Sequence, residues 1–190
     1  MELIAWQEAA ERLARGEVGV IPTDTLYGIV GSALKPATVE RIYALRKREL
    51  DNPMIVLIGD WTDLDRFHAV LPPQARALLE RVWPGPVSVV VPVADAGWQY
   101  LHRGKQSIAF RMPAKPELLA LLKQAGPVVA PSANLAGETP SVTVAEAQAY
   151  FGDEVFYVDE GRLENSASAL VDARTDPPRI LRPAPGFGLQ

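Results

Sequence analysis

Arg46, Lys47 and Arg48 stand side by side in a chain of 190 residues whose formal net charge is −4. Three adjacent cations can neutralise a polyanion, and the plain alternative is a solvated helix end where each complements the macrodipole for about 0.3–1 kcal/mol. Spacing bears on the choice. On a continuing helix, residues two apart point roughly 200° away from each other, so Arg46 and Arg48 could not share a ligand. In extended chain they lie on the same side. Asn52 precedes Pro53 and is biased toward extended geometry, so the helix gives way between 46 and 52. An anion site suits that change of direction better than a mid-helix face.

The other residues able to do chemistry follow short β-branched runs. "VGVI" (18–21) leads into Pro22-Thr23-Asp24-Thr25, "SIAF" (107–110) into Arg111, "PVVA" (127–130) into Pro131-Ser132-Ala133-Asn134, and "RIL" (179–181) into Arg182. In open α/β sheets ligands bind beyond the strand ends, so several such ends gathered on one side would make a polar cup. Each residue also has a plain reading. Thr23, Asp24 and Thr25 can simply cap a turn, and Ser132 with Asn134 can be an ordinary loop. Arg111 directly after an apolar strand needs a partner, and a binding role and a structural ion pair weigh evenly.

The elements that must position these residues follow from periodicity and turn chemistry. Apolar spacing predicts helices at about 4–15, 36–46, 61–68, 73–82, 115–125 and 143–151. Pro36 suits a first turn and Thr143-x-x-Glu146 reads as a capping box. Strands are expected at 18–21, 54–58, 87–93, 107–110, 127–130, 155–158, 168–172 and 179–182. Their intermixing gives an α/β fold: one domain over 1–183, a twisted open mixed sheet flanked by helices around a concave basic cavity. The segment 184–190 is expected to be a loosely held tail. Trp6, Trp61 and Trp83 are expected in the core.

Composition excludes several classes. The chain has no cysteine and only two histidines, His68 and His102, which removes thiolate nucleophiles, cysteine-ligated metals and multi-histidine centres. Neither histidine carries a catalytic pattern. Residues 1–30 show no signal-peptide segments and no apolar run approaches the roughly 18 residues of a membrane span, so a cytoplasmic location without membrane contact is expected. There is no G-x-x-x-x-G-K-[ST] loop, no G-x-G-x-x-G opening a helix and no G-x-S-x-G elbow. A nucleotide would therefore be held by side chains rather than by a glycine loop.

Taken in order, "GEVGVIPTDTLYGIVGSA" (16–33), "LRKRELDNPMIVLI" (45–58), "WPGPVSVVV" (83–91), "SIAFRMP" (107–113), "VVAPSANLAGETPSVT" (128–143), "SASALVD" (166–172) and "ILRP" (180–183) resemble the YrdC-like family of threonylcarbamoyl-AMP synthases. That family couples a Lys-x-Arg pair to a Ser-x-Asn pair. Here Ser132 and Asn134 keep the second pair and Arg48 keeps the arginine, while the lysine position holds Arg46. The phosphate contact then falls to Arg46 or to its neighbour Lys47, since a guanidinium keeps charge but not ammonium geometry. Glu49, Ala169 and Ala184 stand where the family commonly has proline, threonine and glycine. The chain resembles the short bacterial form.

The resemblance implies condensation of L-threonine, bicarbonate or CO₂, and ATP to threonylcarbamoyl-AMP and pyrophosphate, for N6-threonylcarbamoyladenosine in tRNA. It implies that Arg46, Lys47, Arg48, Asn52, Ser107, Ser132, Asn134, Ser141 and Arg182 hold ATP and pyrophosphate. Thr23, Arg111, Ala130 and Ser168 would hold threonine, with Arg111 on its carboxylate. Mg²⁺ would ride on the phosphates. The product would pass transiently to a tRNA threonylcarbamoyl-transferase complex. Two other functions stay open: an RNA-binding or ribosome-maturation module of the same fold, and a paralogue acting on another amine. The acidic net charge counts against direct RNA binding, which needs several phosphate contacts.

Overall fold

The computed structural model describes residues 2–189, so Met1 at the start of the expected domain and Gln190 at the end of the expected tail lie outside the described residues. Nine strands form one mixed sheet in the order β7-β1-β2-β6-β3-β5-β4-β8-β9. These are β1 (Gly19–Pro22), β2 (Tyr27–Ser32), β3 (Val56–Leu57), β4 (Val87–Pro92), β5 (Ser107–Arg111), β6 (Val128–Val129), β7 (Phe156–Tyr157), β8 (Ala169–Asp172) and β9 (Arg179–Arg182). Pairs β1–β7, β3–β5 and β4–β8 are parallel and the rest antiparallel, the mixture expected from the sequence.

Helices cover both faces: α1 (Trp6–Arg15), α2 (Pro36–Arg46), α3 (Thr62–Arg66), α4 (Pro73–Val82), α5 (Gln99–His102), α6 (Pro116–Ala125) and α7 (Val144–Phe151). The two-residue period of the strands divides the core. Ile21, Val30, Leu57 and Val128 lie in one cluster with Ala9, Ala10 and Leu13 of α1 and Leu118, Leu121 and Leu122 of α6. Their neighbours Val20, Ile29, Val56 and Val129 lie in the other, with Val39, Ile42 and Tyr43 of α2 and Leu78 and Leu79 of α4. Adjacent residues serving opposite cores fix the strand register.

β2 is absent from the sequence expectation, for a physical reason. All six of its residues are buried, so no polar alternation marks it. Its Gly31 lets α2 approach closely: a Cβ there would sit 2.4 Å from Thr38 Cγ2. Trp83 is buried as expected, whereas Trp6 and Trp61 are only half-buried. Trp6 keeps its indole N–H at the surface, donating to Glu160. The tail expected to be loose packs Phe187 and Leu189 against the main core. No helix among the described residues is long and apolar enough to cross a membrane.

Caps hold the ends. Thr143 Oγ1 accepts from Glu146 N–H, while the Glu146 carboxylate accepts from Val142 N–H, one residue earlier than a standard capping box. α2 begins with Pro36 in its first turn and stops at Lys47, which adopts the left-handed conformation with φ 50°. The amides of Lys47 and Arg48 donate to the carbonyls of Ala44 and Tyr43, closing the helix end.

Candidate active site

The left-handed turn at Lys47 reverses the chain, and Arg46 and Arg48 consequently reach one cavity of about 430 Å³. Arg111 at the end of β5 and Arg182 at the end of β9 reach the same cavity. Its wall also carries Thr23 and Thr25 after β1, Asn52 before β3, Ala130 and Ser132 after β6, and Ser168 before β8. The residues come from both starts and ends of strands, as a mixed sheet requires. Among the described residues no aspartate or glutamate lines the wall.

Each arginine is held differently. Arg46 is 3% exposed; its Nε donates to the Asn134 carbonyl at 2.9 Å, and its Nη2 to Asn134 Oδ1 at 3.2 Å and Ser132 Oγ at 3.4 Å. Its Nη1 is buried without a partner. Arg48 donates from Nε to the Asn52 carbonyl at 2.9 Å and from Nη2 to the Pro53 carbonyl at 3.1 Å. Arg182 donates to the Ser168 carbonyl at 2.9 Å and to Ser168 Oγ at 3.1 Å. Among the described residues none of these three meets a carboxylate.

Arg111 is the exception. Its Nη1 donates to Asp24 Oδ1 at 3.0 Å and to Thr25 Oγ1 at 3.2 Å, and its Nε is buried without a partner. Arg111 thus makes an ion pair and still lines the cavity.

Burial and poor compensation show in the electrostatics. Burial, with the charge of Arg48 added, pulls Arg46 down to about 10. Burial also lowers Arg48 and Arg182. It lowers Arg111 despite the opposing pull of Asp24. Arginines lowered in this way remain charged near neutrality, so the cavity wall is a desolvated positive surface on which only Arg111 has a carboxylate partner among the described residues. An anion would relieve it.

The remaining expected residues are placed as follows. Asn134 and Ser141 lie behind the wall: Asn134 Nδ2 donates to the Leu135 and Glu138 carbonyls, and Ser141 Oγ donates to the Ala133 carbonyl, so both brace the loop that presents Ser132. Ser107 opens β5 away from the wall, accepting from Arg174 and donating to the Lys105 carbonyl. Lys47 is exposed and lines a separate depression with Arg41, Leu135, Tyr150 and Glu154, apart from Arg46 and Arg48. The triplet is therefore split, two residues on the cavity and one outside it. Thr23 fulfils the plain turn reading as well: its Oγ1 donates to the Leu26 carbonyl at 2.7 Å and accepts from Thr25 N–H at 3.0 Å. Ala130 N–H donates to the Ile55 carbonyl, which leaves its edge on the cavity. Ser168 Oγ lies 3.0 Å from Ser88 Oγ.

Sequence reasoning treated Asp24 as a turn residue and gave Tyr27 no role. Tyr27 lines the cavity while its hydroxyl donates to the Gly161 carbonyl at 2.7 Å, and burial raises it to about 12. A buried arginine demands a carboxylate, and the aspartate of "PTDT", two residues past β1, is the signal that could have found Asp24.

Known proteins resemble this chain in sequence and in fold. The family model described as "Telomere recombination", covering Sua5, YciO and YrdC proteins, matches residues 11–184. A threonylcarbamoyl-AMP synthase of Bacillus subtilis is 37% identical over 93% of this chain and 52% of its own length. One from Thiobacillus denitrificans is 34% identical over 90% of both chains. The crystal structure of Pyrococcus abyssi Sua5 complexed with L-threonine matches with a TM-score of 0.88 and 30% identity, over 94% of this chain and 54% of that one. The chain thus spans about half the length of the B. subtilis and P. abyssi proteins. With a family model over most of its length and relatives above 30% identity, this chain belongs to the Sua5–YciO–YrdC family.

Proposed function

We propose that the chain is an L-threonylcarbamoyl-AMP synthase, a nucleotidyltransferase that joins L-threonine, bicarbonate and ATP and releases pyrophosphate. The observation that carries this reading is the group of four arginines on one cavity, three of them without a carboxylate partner. The cavity's 430 Å³ is within the range of small-molecule sites. Relatives bearing the synthase name, and one solved with L-threonine, support the substrate.

In this reading the triphosphate lies at the Arg46–Arg48 end and the amino acid at the Thr23, Arg111 and Ser168 end. Threonine and bicarbonate give the carbamate with loss of water, the proton of the threonine ammonium passing to solvent. A carbamate oxygen then attacks the α-phosphorus, a new P–O bond forms, and the bond to the β-phosphate bridging oxygen breaks. The carbamate is already anionic and pyrophosphate leaves readily, so positioning and charge neutralisation suffice without a strong base. The Arg46 Nη1 and the Arg48 guanidinium meet the negative charge that gathers on the leaving group. Lys47 takes no part.

Among the described residues the wall offers guanidinium groups and no carboxylate, so Mg²⁺ would come with the nucleotide rather than be held by the protein, and would supply further charge neutralisation on the phosphates. The adenylate product would then be handed to a tRNA-modifying transferase. The reading is tested by pyrophosphate release from ATP: it should require both threonine and bicarbonate, and release that ignores threonine would exclude it.

A further inference from the structure

Asp24 makes three contacts that, with one from its neighbour Thr25, converge on the placement of one cavity group. Its Oδ1 accepts from Arg111 Nη1 at 3.0 Å. Its Oδ2 accepts from Ala114 N–H at 3.2 Å, three residues past Arg111 at the end of β5. Its carbonyl accepts from Asn165 Nδ2 at 3.4 Å. Its neighbour Thr25 gives a second acceptor to the same Arg111 nitrogen at 3.2 Å. The carboxylate is 12% exposed and does not line the cavity.

Asp24 is thus tied to two other chain segments, the end of β5 and the stretch at Asn165, and it grips one corner of Arg111. On the opposite edge of that guanidinium Nε is buried and has no hydrogen-bond partner among the described residues, while the side chain lines the cavity. Edge-on pairing through Nε and its neighbouring nitrogen is how a guanidinium receives a carboxylate with two parallel hydrogen bonds. Arg46 offers a contrast: Nε and Nη2 of its fork are already taken by Asn134.

Charge distribution gives the same indication. Asp24 is the one carboxylate paired with a cavity arginine among the described residues. The Arg111 end, which also holds Arg182 beside Ser168, therefore has one carboxylate against two guanidinium groups, and the Arg46–Arg48 end has none against two. A singly charged carboxylate suits the first end and a triphosphate the second, which would keep the two substrates from exchanging places.

Resting on the synthase reading above, we propose that Asp24 is a positioning residue for the amino-acid substrate: it orients Arg111 so that the free edge of the guanidinium meets the threonine carboxylate. It acts through Arg111 and touches neither substrate. A misplacement of about 1 Å at such a group can cost on the order of a hundredfold in rate, so an aspartate behind the wall can govern threonine use.

The test is steady-state kinetics of the full chain, with threonine and ATP each varied at saturating levels of the other substrates, on wild type, Asp24→Asn and Asp24→Glu. Asp24→Asn should raise the threonine KM about tenfold or more and leave the ATP KM within about twofold. Asp24→Glu, which keeps the charge and moves the oxygens by one methylene, should fall between the two. A purely structural role would lower the unfolding midpoint and the active fraction without separating the two KM values. Equal movement of both KM values, or an unmoved threonine KM, overturns the proposal. If Asp24→Asn does not fold, Asp24→Glu carries the test, and a threonine KM equal to wild type overturns it. Wild-type protein without threonine-dependent pyrophosphate release would overturn the synthase reading and this proposal with it, whereas an active wild type with unmoved variants would overturn this proposal alone.

Discussion

Arg46 grips Asn134 at two points, its Nε 2.9 Å from the backbone carbonyl oxygen and its Nη2 3.2 Å from the side-chain oxygen, across 88 positions of sequence. The end of α2 and the loop after β6 are thereby locked together, and the Ser132 hydroxyl is held on the cavity wall.

That lock is made with a guanidinium whose burial is unfavourable. The fall to about 10 corresponds to a penalty on the order of 3 kcal/mol. The folded pKa lies below the unfolded one, so the penalty is fully present at neutral pH and lifts only as pH rises through about 10. Arg46→Met would remove it but leave the Asn134 oxygens unpaired, at about 1–3 kcal/mol. The two effects nearly cancel. Arg46→Met should therefore unfold within about 1–2 kcal/mol of wild type in denaturant titration while losing about tenfold or more in ATP affinity. A variant that binds ATP normally would remove Arg46 from the phosphate site.

Adding an anion should stabilise the protein. Pyrophosphate at about 100 times its dissociation constant contributes about 2.7 kcal/mol, which for a domain of this size raises the melting midpoint by roughly 5–10 °C. Scanning fluorimetry measures it. The rise should shrink in Arg48→Ala and persist in Lys47→Ala, because only Arg48 lines the cavity.

Lys47 and Arg48 should also separate in affinity. Loss of a charge-assisted contact at Arg48 costs about 1.5–3 kcal/mol, or roughly 10- to 150-fold in ATP binding by calorimetry. Lys47→Ala should stay within about twofold, as an exposed cation outside the site. Lys47→Gly should raise stability by several tenths of a kcal/mol, since glycine adopts φ 50° without the Cβ clash. Equal ATP losses at both positions would contradict the split of the triplet.

Close packing between β1 and β7 gives a test of the frame itself. A Cβ on Gly19 would lie 2.1 Å from the Phe156 ring, so Gly19→Ala should cost about 1–3 kcal/mol in unfolding free energy. Wild-type stability in that variant would put the β1–β7 register in doubt.

The sequence made the ends of the argument visible and hid the middle. Periodicity located most helices, and the Asn52-Pro53 pair placed the end of α2 within the correct window, because helix stops and proline geometry are local effects. β2 escaped because a strand buried on both sides, with Gly28 and Gly31 inside it, carries no alternating signal. Lys47 looked like its neighbours until the left-handed turn separated them. The pairing of Asp24 with Arg111, 87 positions apart, depends on sheet order, which no local pattern encodes.

A structure of the chain with ATP and L-threonine bound would test the central claim most directly. The account predicts β- and γ-phosphate oxygens within hydrogen-bond reach of Arg46 and Arg48 and the threonine carboxylate on the free edge of Arg111, both in the one cavity. Phosphates seated elsewhere, or the amino acid bound away from Arg111, would contradict it.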